Sequence, residues 1–286
     1  MSVKSPLVTT AWLERHLNER DIRIVELRGK VLPPTEPPPH YFTDRAGYEE
    51  EHIPNAVFVD WQVDIVEPGS PSGDVAAPER FAALMGALGI GKDTRVVIYD
   101  NAASMFACRL RWVLRHYGHE NVFILDGGWD KWLAEGRPVS ADRPQVESTR
   151  FVPRVNARLK ATAEEIMTGI EAGNMQVIDV RSPAEYAGAA SRARHGGHIP
   201  TAISIPRNTM VADDQTVETA HNLRKRFAAN GVALDASDTV IYCNSGVSAS
   251  FGMLALELAG ARNLRLYDGS WKEWGNDGAT PKETGA

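Results

Sequence analysis

Residues 238–248 read Asp-Thr-Val-Ile-Tyr-Cys-Asn-Ser-Gly-Val-Ser. The apolar run from Thr239 to Tyr242 ends at Cys243, and an apolar, amphipathic stretch follows from Ala249 to Leu258. Apolar run, small polar residues and second apolar stretch together predict strand, tight loop and helix. A cysteine at the mouth of such a loop faces the loop amides and the first helical turn, where a thiolate is stabilised and made reactive. Position alone leaves a second reading open, in which Cys243 is a buried thiol closing a strand.

The same pattern occurs earlier. Residues 93–104 read Asp-Thr-Arg-Val-Val-Ile-Tyr-Asp-Asn-Ala-Ala-Ser, with Asp100 in the place of Cys243. Two further landmarks recur in the same order. Glu51-His52-Ile53-Pro54-Asn55-Ala56 matches Gly197-His198-Ile199-Pro200-Thr201-Ala202. Asp126-Gly127-Gly128-Trp129 matches Asp268-Gly269-Ser270-Trp271, each followed by a second tryptophan, Trp132 or Trp274. Three ordered matches identify a duplicated domain. The tryptophans read as core or domain packing.

Each half alternates short apolar strands with amphipathic helices. Strands are expected at Ile22–Leu27, Val57–Asp60, Val96–Tyr99 and Val122–Leu125, with helices at Glu79–Leu88 and Ala103–His116. In the second half strands are expected at Met175–Val180, Ala202–Ile205, Val240–Tyr242 and Leu264–Tyr267, with helices at Ala163–Glu171 and Ser248–Ala259. The fold class is therefore α/β, with two mainly parallel sheets flanked by helices. The join falls in a charged, proline-bearing stretch from about Gly136 to Arg158. A boundary near Thr149 divides a supporting domain, 1–149, from a catalytic one, 150–286. Five prolines between Pro33 and His40 mark a surface loop.

Composition excludes several function classes. A hydrophobic fraction of 43% fills real cores, and a formal net charge of -6 argues against a nucleic-acid-binding surface. No run approaches the ~18 apolar residues of a membrane helix, and the first ten residues, MSVKSPLVTT, lack the apolar core of a signal peptide. With only Cys108 and Cys243, neither a disulfide framework nor a cysteine-based metal site is expected. The expected compartment is the reducing cytoplasm. Cys108, inside a predicted helix, reads as a packed core thiol.

The composition of the Cys243 loop suits anion chemistry. Gly246 can take a backbone conformation closed to other residues. Asn244, Ser245 and Ser248 can close the curve with side-chain hydrogen bonds, and Ser248 can cap the following helix. Inward amides are expected to lower the thiol from its usual pKa of ~8.5. The same ring of donors could hold a persulfide, so that sulfur is taken from a donor and then passed to an acceptor in two half-reactions. Phosphate-ester hydrolysis on this geometry needs an arginine closing the loop. Ala249 stands there, and the anion clamp is missing.

The chain resembles the tandem-domain rhodanese family over nearly its whole length. The residues that carry the resemblance are the paired His-Ile-Pro motifs, Asp179-Val180-Arg181-Ser182-Pro183-Ala184-Glu185-Tyr186, the run from Tyr242 to Ser248, and Tyr267-Asp268-Gly269-Ser270-Trp271. The resemblance implies two rhodanese-like domains, the second bearing a persulfide-forming cysteine. It also implies a small sulfur donor, with cyanide, a thiol or a thioredoxin-like protein as acceptor, and no metal or organic cofactor. Thiosulfate-using members commonly place basic residues after the cysteine, whereas mercaptopyruvate-using members carry Cys-Gly-Ser-Gly-Val-Thr. Ser245, Gly246 and Val247 match the latter, Asn244 replaces its first glycine, and Ser248 keeps a hydroxyl. The resemblance further implies an acid–base trio of Ser245 with His52 and Asp44 from the first domain. By residue chemistry alone His52 also reads as a turn histidine satisfied within its own domain. Two substrate-binding arginines are expected upstream of the second His-Ile-Pro motif. The first falls on Glu185, a reversal of charge. The second falls on Arg192, with Arg194 beside it, and this pair also reads as a solvated loop. Asp179 and Arg181 are expected to tie the framework.

Overall fold

Two five-stranded parallel sheets, one from each repeat, carry the chain. The computed structural model describes residues 5–70 and 73–285, so the first four residues of the N-terminal stretch read above lie outside it. The first half contains β1 (Leu7–Val8), α1 (Thr10–Arg15), β2 (Ile22–Glu26), β3 (Gly29–Val31), β4 (Tyr41–Thr43), α2 (Arg45–Glu50) and β5 (Val57–Phe58). It continues with α3 (Pro78–Ala87), β6 (Arg95–Tyr99), α4 (Met105–His116), β7 (Val122–Leu125) and α5 (Gly128–Ala134). The second half contains β8 (Lys160–Ala161), α6 (Ala163–Glu171), β9 (Gln176–Asp179), α7 (Pro183–Tyr186) and β10 (Ile203–Ser204). After these come α8 (Ala220–Ala229), β11 (Thr239–Tyr242), α9 (Val247–Ala259), β12 (Leu264–Tyr267) and α10 (Ser270–Trp274).

The strand orders are β1-β7-β6-β2-β5 and β8-β12-β11-β9-β10, which is the same topology twice. Registers match as well: Glu26 pairs with Tyr99 across β2 and β6, and Asp179 with Tyr242 across β9 and β11. In both halves the tyrosine hydroxyl accepts the isoleucine amide of the His-Ile-Pro motif, from Ile53 to Tyr99 at 3.0 Å and from Ile199 to Tyr242 at 3.1 Å. This bond explains why the two motifs recur together in the sequence. All the expected strands and helices are present, with ends shifted by one or two residues. Strands β1, β3, β4 and β8 and helices α1, α2, α5, α7, α8 and α10 escaped the sequence reading; all but the ten-residue α8 are too short to carry measurable periodicity, and α8 is rich in polar residues with only Leu223 and Phe227 buried.

The helices that follow the two loops, α4 and α9, pack against each other between the halves. α9 is apolar nearly all round, as a helix buried on every side must be, whereas α4 is buried along almost its whole length but carries Arg109, Arg111 and Arg115, which need partners. Phe106, Leu110 and Val113 of α4 share one core cluster with Phe251, Leu254 and Ala255 of α9. Each of the larger of these side chains contributes roughly 1.5–3 kcal/mol on burial, which fixes the two loops against each other. Polar bonds cross the same seam. Arg111 holds Glu257 through two hydrogen bonds, 3.0 and 3.1 Å, and the buried Arg109 pairs with the buried Asp268 at 2.6 Å. Cys108 is buried in this core, as expected, and burial pushes its thiol far up. Trp129, Trp132, Trp271 and Trp274 are likewise buried.

The proline stretch is a largely exposed loop joining β3 and β4, an antiparallel ribbon in which Val31 pairs with Tyr41. The chain at and just past the expected boundary lies along the first half: the Thr149 amide donates to the Gly86 carbonyl and the Arg154 amide to the Tyr117 carbonyl, each at 2.9 Å. Among the described residues no helix is long and apolar enough to cross a membrane.

Candidate active site

β11 delivers Cys243 to the carboxyl edge of its sheet, where ligands of open α/β sheets bind. The chain then turns sharply through Gly246, whose φ of 73° is open to glycine and strained for other residues. A Cβ at Gly246 would also stand 2.8 Å from Arg109 and 2.9 Å from Asp268. The backbone amides of Ser245 and Ala249 point at the Cys243 sulfur. Ser270 holds the loop from below. Its hydroxyl accepts from the amides of Cys243 at 3.2 Å and Gly246 at 3.1 Å, and donates to the Tyr267 carbonyl at 2.7 Å. The amide of Trp271 bonds the Cys243 carbonyl at 2.9 Å.

The thiol itself corrects the sequence expectation of a lowered pKa. Cys243 is 3% exposed, and burial pushes its thiol up. The amides of Ser245 and Ala249 and the charge of Arg109 oppose that shift without reversing it. Loss of solvent outweighs the loop donors.

Domain 1 shows what the same loop does with a carboxylate. Asp100 accepts the amides of Ala102, Ser104 and Ala107 at 2.8, 2.9 and 2.8 Å. The side chain therefore fills the anion ring of its own loop and leaves no room for a bound sulfur there. In place of Ser270 stands Gly128, where a Cβ would meet the Asp100 carbonyl at 2.3 Å.

Cys243 opens into a cavity of about 550 Å³ between the halves. Asn244, Ser245, Val247 and Ser248 line it from the loop, together with Glu185, Arg192 and Arg207. Domain 1 contributes Lys30 and Tyr41 from the ribbon, Trp61, and Asn101, Ala102 and Met105 from the Asp100 loop. The hydroxyl-bearing side chains of Tyr41 and Ser245 face this cavity from opposite halves. The Arg192 guanidinium lies 5.4 Å from the Tyr41 ring centre and donates to the Leu32 carbonyl at 2.5 Å, tying the ribbon to the second half. Arg207 donates to the carbonyls of Ala102 and Ala103, both at 3.3 Å.

Several expectations are corrected. The trio of Ser245, His52 and Asp44 is not assembled. His52 lies in a separate cavity beside Arg45, Tyr48 and Arg143. Its Nδ1 faces the Tyr48 carbonyl at 2.7 Å and its Nε2 the Asp142 carbonyl at 3.1 Å. Its repeat partner His198 makes the matching contact to Tyr186 at 2.9 Å, and both histidines stack on those tyrosines. The histidine is thus a framework group in each half. Asp44 caps α2 by accepting from the Gly47 amide at 2.9 Å. Arg194 is exposed, and its amide bonds Asn276 away from the cavity. Ser248 does not cap α9. The helix starts at Val247, and the Ser248 hydroxyl donates to the Met105 sulfur at 3.2 Å.

Glu185 is buried and lines the cavity. It accepts from the Asn244 amide at 2.9 Å and stands 3.5 Å from Arg192 Nε, while closing a capping box with Ser182. Asp179 and Arg181 form the expected buried pair at 2.6 Å. Sequence reasoning missed Tyr41, Arg109, Arg207 and Ser270. Only Ser270 left a trace there, as the one difference between Asp-Gly-Gly-Trp and Asp-Gly-Ser-Trp.

The sequence matches the Rhodanese-like domain family over residues 9–135 and again over 162–277. It is 33% identical to the sulfur carrier protein TtuD of Thermus thermophilus, over 94% of this chain and 93% of that protein. It is 33% identical to a thiosulfate sulfurtransferase of Corynebacterium glutamicum, over 98% of this chain and 90% of that one. The fold superposes on the crystal structure of SseA from Escherichia coli, a 3-mercaptopyruvate sulfotransferase by its description. The TM-score is 0.82 at 29% identity, covering 94% of this chain and 99% of that one.

Proposed function

This chain belongs to the rhodanese-like domain family of sulfurtransferases as a tandem pair, and from that premise we propose that it moves a sulfane sulfur through a persulfide on Cys243. The observation that carries the reading is the Cys243 sulfur set against the Ser245 and Ala249 amides at the floor of an inter-domain cavity. Those amides suit the outer, partly anionic sulfur of a persulfide. The half from about residue 150 would do the chemistry. The half before it, with Asp100 filling its own loop, would wall the cavity.

The proposed donor is 3-mercaptopyruvate. The loop offers no cation of its own to a dianion, and Glu185 adds negative charge at the wall. Arg192 suits the carboxylate of such a donor, since its Nη1 finds no hydrogen-bond partner among the described residues. Thiosulfate is the second reading, favoured by Lys30, Arg192 and Arg207 lining the cavity from outside the loop. The acceptor would be cyanide in an assay and a thiol, such as that of a thioredoxin-like protein, in a cell. A persulfide carrier with little turnover of small donors is a third reading, supported by the likeness to a protein named a sulfur carrier.

The test is to incubate the protein with each donor and weigh it intact. Addition of one sulfur atom to Cys243, removed by cyanide and absent from Cys243→Ser, is the expected result. Sulfur transfer that survives in Cys243→Ser would overturn the reading.

A further inference from the structure

With His52 committed to its own half, no histidine among the described residues lines the Cys243 cavity. Breaking a carbon–sulfur bond there still needs a proton source, because the carbon leaves with the electron pair. Tyr41 and Ser245 are the hydroxyl-bearing side chains that line the cavity beside the sulfur from the ribbon and from the loop. Tyr41 comes from β4 of the first half and is held by three contacts. Its neighbour across the ribbon is Val31, its ring meets Trp61 edge-on at 5.8 Å, and the Arg192 guanidinium covers it. Burial raises the Tyr41 phenol above its usual value, opposed by Arg192 and Ser245, so it stands protonated at neutral pH.

We propose that the Tyr41 hydroxyl is the acid that protonates the carbon leaving group, and that Ser245 relays the Cys243 proton back to it. The proposal rests on the reading of 3-mercaptopyruvate as donor. In the step, the Cys243 sulfur attacks the donor sulfur. The sulfur–sulfur bond forms as the carbon–sulfur bond breaks, and its electron pair passes to carbon as the enolate of pyruvate. Tyr41 gives its proton to that carbon, and the proton lost from the Cys243 thiol passes through Ser245 to restore Tyr41. The transferred sulfur is oxidised and the carbon reduced, with no outside oxidant. The sum is thiol plus mercaptopyruvate giving hydropersulfide plus pyruvate.

Proton donation of this kind contributes about 10²–10⁴-fold. Single-turnover pyruvate release in Tyr41→Phe should therefore fall by about 100-fold, with little change in donor affinity. The second half-reaction needs no carbon acid. Cys243 persulfide preloaded with inorganic polysulfide should pass its sulfur to cyanide at the wild-type rate in the same variant. That measurement also shows that the variant is folded. Equal slowing of both half-reactions, or unslowed pyruvate release, would overturn the assignment while leaving the donor reading intact. Wild-type protein that releases no pyruvate at all would overturn the donor reading and the Tyr41 role together.

Discussion

Asn244 and Glu185 are bonded to each other: the Asn244 side-chain amide donates to Glu185 Oε1 at 2.9 Å. At both positions the chain departs from the loop and arginine pattern it otherwise resembles. The carboxylate gives the larger loop side chain a partner, and it partly neutralises Arg192 at 3.5 Å. Two departures that read as separate in the sequence form one unit. A unit charge a few ångströms away changes an anion's energy by about 1 kcal/mol in a water-like medium. Glu185→Gln keeps an acceptor for Asn244 and removes the charge. Its KM for dianionic thiosulfate should drop several-fold, and more than its KM for monoanionic 3-mercaptopyruvate. Steady-state kinetics with both donors checks this, and an equal change for the two would remove charge as the cause.

His52→Asn should leave the rate of sulfur loading on Cys243 within about twofold of wild type, because the ring bonds only carbonyls of its own half. The loss should appear as lower stability, about 1 kcal/mol per hydrogen bond, read from urea unfolding. A large fall in loading rate with unchanged stability would restore His52 to the site.

Ser270→Ala strips the partner from the buried amides of Cys243 and Gly246. Each unsatisfied buried donor costs about 1–3 kcal/mol. The melting temperature should fall, and persulfide formation should slow as the loop loosens. Ser270→Gly, which copies Gly128 of the first half and suits the positive φ of 52°, should restore neither, since it also lacks the hydroxyl.

Arg109→Met leaves Asp268 buried opposite a neutral side chain, with Lys160 at 3.5 Å as its remaining cation. Breaking a buried pair from one side costs about 3–5 kcal/mol. Adding Asp268→Asn removes the stranded charge and should recover part of that loss. Denaturant midpoints of the two single variants and the double variant give the coupling directly.

Glu26 gives a pH dependence of known sign. Burial raises its pKa from 4.5 to about 7, against the pull of Arg28 and Tyr99. The folded state thus holds this proton more tightly than the unfolded chain does. The stability it contributes is fully present below pH 4.5 and is lost as pH rises through about 7. Glu26→Gln should flatten the stability profile across that window, measured by unfolding at each pH. An unchanged slope would mean that another group dominates it.

Much of this protein was legible in its residues. The apolar runs before Asp100 and Cys243, and their repetition with the His-Ile-Pro and Asp-Gly motifs, determined a duplicated α/β fold, because strand and helix periodicity are local properties. They also singled out Cys243 over Asp100 and the glycine turn at Gly246, because loop chemistry follows from neighbours in the chain. Partners far apart in sequence were decided only by the tertiary structure. Packing of α4 against α9 carries Arg109 to Asp268 and closes the cavity, and the ribbon brings Tyr41 to the Cys243 cavity. His52 is held to its own half by two carbonyls that no motif reveals. The direction of the Cys243 shift also belongs to the tertiary level, since desolvation depends on everything packed around the sulfur, whereas the sequence displays only the amides beside it.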